Sequence, residues 1–228
     1  MTITSKYIIS LELLLILLTH SVSSQSVILP SAIRAGTDVS RIGIWLIDPH
    51  KKQYELNADI DIYKYFITAD YGYWRTSLND AGYDYLMNGW YFRTGIDYNF
   101  LSTDPDNHVI FFGIKYSISG FDDSFKYALT DPYYGSFSES LSKKGNTARW
   151  IEMNTGIKIR IWNGLYMGWT GRMKFGLNLK APGKFSSYEI PGYGKTSKTS
   201  SWGISYNIYY RFQFRDKPRI LPKKKLDE

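Results

Sequence analysis

The sequence predicts an all-β protein: an eight-stranded antiparallel transmembrane β-barrel with short periplasmic turns and long outer loops. Three observations carry this expectation. Period-two alternation recurs in eight segments, with almost no helical periodicity between them. The apolar rows of those segments hold no charge, while the opposite rows hold many. The connections between segments are alternately short and long.

Composition narrows the field before any motif is read. The 228 residues include 20 Tyr, 12 Phe, 7 Trp and 19 Gly, a balance that favours strands. There is no Cys, which excludes zinc fingers, thiol catalysis and a disulfide scaffold. A mean hydropathy of −0.31 excludes a bundle of membrane helices. The formal net charge of +7 permits phosphate-rich partners without demanding them; no nucleic acid is expected.

Residues 1–25 read as a secretory leader. Lys6 supplies the positive start, Leu11 to Leu18 the short apolar core, and Ser21-Val22-Ser23-Ser24 the small residues for cleavage near 24/25. The core is too short to span a bilayer as a helix. Residues 26–214 form the expected barrel, and 215–228 a charged tail with Lys223-Lys224-Lys225.

The strands are expected near 32–40, 53–62, 64–74, 89–100, 109–118, 149–162, 165–178 and 201–214. In the fourth, Trp90, Phe92, Thr94, Ile96, Tyr98 and Phe100 share one face, and Tyr91, Arg93, Gly95, Asp97 and Asn99 the other. In the sixth, Ile151, Met153, Thr155, Ile157, Ile159 and Ile161 oppose Trp150, Glu152, Asn154, Gly156, Lys158 and Arg160. A soluble lipocalin-like barrel would turn the apolar rows inward, and a membrane barrel outward to lipid. Trp, Tyr and Phe near strand ends suit interfacial girdles, and most strands reach the roughly 9–11 residues a tilted span needs. Short joins fall at Tyr63-Lys64, at Leu101 to Asn107, and at Asn163-Gly164, a type I′ hairpin signal. Long connections fall at about 41–52, 75–88, 119–148 and 179–200.

The polar rows hold the candidate site. Acids dominate the first four strands: Asp38, Glu55, Asp59, Asp61, Asp70 and Asp97, with Arg34 and Arg93 among them. Bases dominate the last four: Lys115, Lys158, Arg160, Arg172, Lys174 and Arg211, with Glu152 among them. An eight-stranded barrel has room inside only for side chains, so these groups are expected to pair across the lumen as a structural plug. Catalysis is not expected. His50 lies in a long loop and His108 beside a turn, neither on a strand face with a nucleophile. Asp104-Pro105-Asp106-Asn107 lacks calcium-loop spacing, and Pro191-Gly192-Tyr193-Gly194-Lys195 reads as a tight turn. No cofactor or metal is implied.

Several segments resemble a family. They are Ile33 to Arg41, Tyr91 to Asn99, Phe112 to Tyr116, Gly168 to Lys174 and Ile190 to Lys195. Their order and spacing over residues 30–214 resemble an uncharacterised outer-membrane β-barrel family of Bacteroidota, domain-of-unknown-function family 6048. The resemblance implies a fold and a location, and carries no activity and no catalytic residues. The leading functional expectation is a structural or interaction role through the long loops. Alternatives are a narrow conduit or small-molecule binder, and a membrane-embedded lipid-modifying enzyme. The expected partners are outer-membrane lipids, the outer-membrane assembly machinery, and a protein or ligand at the Tyr-, Ser- and Gly-rich loops. Lys180, Lys184, Lys195 and Lys198 against Glu189 could also meet lipopolysaccharide phosphates.

Overall fold

A computed structural model describes residues 29–80, 82–133, 135–179 and 187–216. The leader, the triple-Lys tail, Lys180 and Lys184 lie outside the described residues. The chain runs β1 (Ala32–Asp38), α1 (Val39–Ile47), β2 (Lys51–Ile62), β3 (Tyr65–Asp80), β4 (Tyr83–Asn99), β5 (Val109–Asp131), β6 (Gly135–Trp162), β7 (Leu165–Asn178), β8 (Glu189–Ile190), β9 (Gly194–Lys195) and β10 (Ser200–Gln213). Eight of these close into one barrel, each paired antiparallel with its chain neighbours, with β10 joining β7 to β1. Closure leaves no sheet edge at mid-height.

The barrel is inside-out relative to a soluble one. Along β3, Ile67, Tyr71 and Tyr73 are exposed, while Phe66, Thr68, Asp70 and Trp74 are buried in the lumen. The outer face has a layered order. Tyr65, Tyr98 and Phe112 stand in one cross-strand row near the short turns, with the Phe100 ring 5.1 Å from that of Tyr98, and Trp162 and Phe212 are exposed at the turn ends of their own strands. Ile60, Ile67, Ile96 and Ile114 form the next row up. Tyr54, Tyr73 and Trp90 form the row towards the loops, and directly above it comes a polar row, Lys52, Arg75, Asn88 and Asp122. Two aromatic girdles therefore bound a largely apolar, uncharged belt on β2 to β5. From Tyr65 to Tyr73 that belt takes about the 9–11 residues of a membrane strand.

Above the polar row the sidedness inverts. The second and third long connections, expected as loops over 75–88 and 119–148, are strand. β3 and β4 continue to Asp80 and from Tyr83, and β5 and β6 to Asp131 and from Gly135. In this four-stranded extension the outward row is Ser77, Asn79, Asp84, Ser124, Lys126, Ser138, Ser140 and Ser142, with Leu86 and Ala128 the apolar exceptions. The inner row carries a chain of rings: Tyr83–Phe125, Phe125–Tyr127 and Tyr127–Phe137, with centroids 6.1, 5.7 and 5.8 Å apart. A bulge between Phe121 and Asp123 keeps both parts of β6 in phase with β5.

Two further expectations are corrected. β1 ends at Asp38 rather than 40, because Asp38 caps a helix: its Oδ1 accepts from the Ser40 amide at 3.0 Å. At Asn163-Gly164 only the glycine takes positive φ, 78°, whereas a type I′ turn needs it at both positions. The register shift between Arg160 and Trp162 supplies the twist instead.

Candidate functional site

The lumen is charged along much of its length, and most of its charges touch an opposite. Glu55 on β2 is the hub. Its carboxylate accepts from Arg93 at 3.0 Å, Arg172 at 3.0 Å and the Tyr91 hydroxyl at 2.6 Å, with Arg41 at 3.5 Å. Arg93 also faces Asp70 at 3.5 Å and Glu152 at 3.3 Å. Asp70 accepts from Lys115 at 2.8 Å, and the Arg172 guanidinium also bonds the Ser205 hydroxyl. Alternation makes this possible: inward positions on β2, β3, β4, β5, β6 and β7 converge on an axis that Glu55, Asp70, Arg93, Lys115, Glu152 and Arg172 reach.

Nearer the turns a second cluster forms around Asp59. It accepts from Arg34 Nε at 2.8 Å and from Lys158 Nζ at 2.7 Å. The Arg34 guanidinium lies 4.2 Å over the Phe66 ring. Lys158 Nζ sits 4.9, 5.1 and 5.2 Å from the Phe111, Tyr209 and Phe66 rings. Aromatic faces thus complete the environment of both buried cations, and in Arg34 they stand beside Nη1 and Nη2, which have no oxygen partner among the described residues. Asp61 and Arg211 approach at 3.5 Å. Asp97 is buried against a cavity with room for about one water (≈ 10 Å³), also lined by Asp59, Asp70, Lys115 and Lys158.

Room for the rings comes from glycine. A Cβ on Gly72 would fall 2.1 Å from the Tyr91 ring, and one on Gly36 would fall 2.4 Å from Tyr209. Both glycines stand on lumen rows, so a missing side chain on one strand admits a large one from another.

The loop end is closed by the fourth connection. Ile190 and Tyr193 sit fully buried with Trp74, Tyr85, Met87, Tyr91, Phe121 and Trp150. The Trp150 and Tyr193 rings meet edge to face at 5.7 Å. Lys174 holds this plug from below, donating to the carbonyls of Gly192 at 2.7 Å and Tyr193 at 3.0 Å. Glu189 holds it from the side through Thr76 at 3.0 Å and Lys51 at 3.2 Å.

The expected site residues thus divide. Glu55, Asp59, Asp61, Asp70, Arg93, Lys115, Glu152, Lys158, Arg172 and Arg211 are brought together inside. Lys174 is buried but serves the plug carbonyls. Asp38 is buried at the rim, where it caps α1 and receives Arg41 Nε at 3.1 Å. Arg160 is corrected: it is exposed beyond the lumen and pairs with Asp106 of the short turn. Its parity is still inward, opposite the buried Tyr166, but β6 has passed the rim of the lumen there.

Sequence reasoning missed Arg41 and the plug. An Asp before a mixed apolar run was the available signal for the helix that carries Arg41; nothing in periodicity announces a loop that turns into a barrel. His108 serves the turn, its Nδ1 accepting from the Arg160 amide at 3.1 Å. Among the described residues no three metal-ligating side chains converge.

No functionally curated protein matches the sequence. Two solved structures are similar in outline. Neisserial surface protein A is 12% identical with a TM-score of 0.42, the match covering 81% of this chain and 96% of that one. CarO of Acinetobacter baumannii is 12% identical with a TM-score of 0.38, covering 83% and 100%. The family model named domain of unknown function (DUF6048) matches residues 4–217, so the chain belongs to that family.

Proposed function

We propose that this protein is an integral outer-membrane barrel of the Bacteroidota envelope, exported by a leader cleaved near 24/25. Its lumen is a structural plug, and its β3–β4 and β5–β6 hairpins are an interaction surface held beyond the membrane. The observation that carries this reading is the reversal of sidedness at the Lys52–Arg75–Asn88–Asp122 row. Below it the outer face is apolar between two aromatic girdles; above it the outer face is polar. One sheet needs two solvents to make sense of that. The paired lumen and the seated Ile190–Tyr193 loop favour a plug over a conduit. The aromatic inner row of the hairpins, flanked by exposed Ser and Tyr, suits adaptable recognition of a protein or ligand. Outer-membrane lipids would contact the belt, lipopolysaccharide phosphates the loop lysines Lys195 and Lys198 together with the Lys52 and Arg75 row, and assembly machinery would insert the chain.

Cell fractionation tests the location. The mature chain is expected in outer membranes after carbonate washing, and recovery from the soluble periplasm would overturn the reading. Planar bilayers test the plug. The wild-type barrel is expected to be silent, and steady conductance would favour the conduit.

A further inference from the structure

The barrel wall has a breach. The β1–β2 ladder stops at Thr37 opposite Leu56, and the β1–β10 ladder at Asp38 opposite Asn207. Both neighbours continue upward without β1: β2 over Lys51–Glu55 pairs on its other side with β3, and β10 over Ser200–Tyr206 with β7. Helix α1 stands in this gap and packs on both β2 and β10. Asp38 fastens it, with Oδ1 accepting from the Tyr206 amide of β10 at 3.3 Å as well as from Ser40. Arg41 points inward, donating to Gln53 at 2.8 Å and facing Glu55.

The other side of α1 is apolar and bare. None of its residues is buried. Leu46 is 75% exposed and Ile47 87%, with Ile42 and Trp45 also exposed. The flanking strands present the same chemistry: Trp202 is 74% and Ile204 80% exposed on β10, and Tyr54 and Leu56 are exposed on β2. The helix face therefore continues the belt on both sides. In water it would be an apolar patch with no cover; beside acyl chains it would be solvated. Bare strand edges cannot face lipid, because the bilayer core offers their backbone groups no hydrogen-bond partner. A helix satisfies its own backbone and can stand there.

We propose that α1 is a lipid-facing segment of the wall, which seats Ile42, Leu46 and Ile47 in the outer leaflet and seals the gap between β2 and β10. This rests on the membrane reading above, and the test separates the two. The chain has no Cys, so single sites can be labelled in the full mature protein. Nitroxides would be placed at Leu46→Cys, at Ile208→Cys as the belt reference and at Tyr133→Cys as the water reference. Each variant would be refolded into phosphatidylcholine vesicles and checked by its heat-dependent gel migration.

The ratio of oxygen to nickel-chelate accessibility at position 46 is expected to match position 208 and to exceed position 133 several-fold. A water-like ratio at 46 with a lipid-like ratio at 208 overturns this inference alone. A water-like ratio at 208 overturns the membrane reading. Spin–spin broadening at 46 would show a second copy covering the helix, and would also overturn it. If Leu46→Cys fails to fold, Ile47→Cys gives the same reading from a side chain with still fewer contacts.

Discussion

Strands β3 to β6 pass through two regions that obey the same alternation with opposite outcomes. In the barrel their inward row is Asp70, Arg93, Lys115 and Glu152, and their outward row is aliphatic and aromatic. In the extension their inward row carries the rings of Tyr83, Phe125, Tyr127 and Phe137 with Asp80, Asp123, Glu139 and Lys143 among them, and their outward row is largely serine and charge. Alternation fixes that a segment is a strand and that it has two unlike faces. Which face turns out depends on what lies outside. Water rewards a polar exterior and lipid an apolar one, and a single sheet can cross from one to the other within a rung or two.

The largest test of this contrast lies inside the barrel. Glu55→Gln keeps the shape but strips the anion from Arg93, Arg172 and Arg41. A loss of about 3–5 kcal/mol is expected in urea titrations of the vesicle-refolded protein, because buried cations are left uncompensated. A loss under about 1 kcal/mol, the size of an exposed ion pair, would mean water already reaches the hub.

The outer face gives the next effect. Ile208→Arg in the belt is expected to cost about 2–4 kcal/mol. Ser138→Arg, also outward but on the extension, should stay within about 0.5 kcal/mol. Equal costs at the two positions would erase the distinction between the regions.

A smaller effect concerns coupling. Asp70→Asn and Lys115→Met should each destabilise, and the double variant should cost less than their sum by about 0.5–3 kcal/mol. Strict additivity would mean that the 2.8 Å contact is not a working pair in the folded barrel. The smallest change expected is Phe137→Ser at the hairpin. It removes one ring from an exposed ladder and should leave the urea midpoint nearly unmoved while weakening capture of any surface partner.

The sequence showed the barrel better than the extension for a physical reason. In the belt the outward rows are uncharged and mostly apolar, so rows such as Ile151, Met153, Thr155, Ile157 and Ile159 read cleanly. Over 135–144 the outward serines face Phe137, Glu139, Leu141 and Lys143, a mixed row that hides the period. Asp59 and Lys158 were legible as inward charges, yet their pairing was not, because register is a property of the closed ring. Arg160 misled because parity persists past the rim while the lumen does not. Tyr91, Tyr209, Gly36 and Gly72 fall on the polar rows by alternation alone, which does not reveal the complementarity that joins them. Pro191 to Lys195 reads as a tight turn, and residues 191–193 form one; that the turn carries Ile190 and Tyr193 into the barrel is tertiary information.

The short first strand bears on how the ring comes to exist at all. β2 with β3, and β6 with β7, are hairpins whose strands meet across a few residues of chain, and contacts of that kind form within microseconds in small systems. The seam between β1 and β10 is different. It joins the beginning of the described chain to its end and rests on a strand of only 7 residues, against 28 for β6. Its loop-closure entropy comes due before any contact rewards it. Closure should therefore be the last event in assembly and opening along that line the first in unfolding. Lys158 and Arg172, by reaching from β6 and β7 to Asp59 and Glu55 on β2, tie the two sides of that seam together through the lumen rather than along the wall.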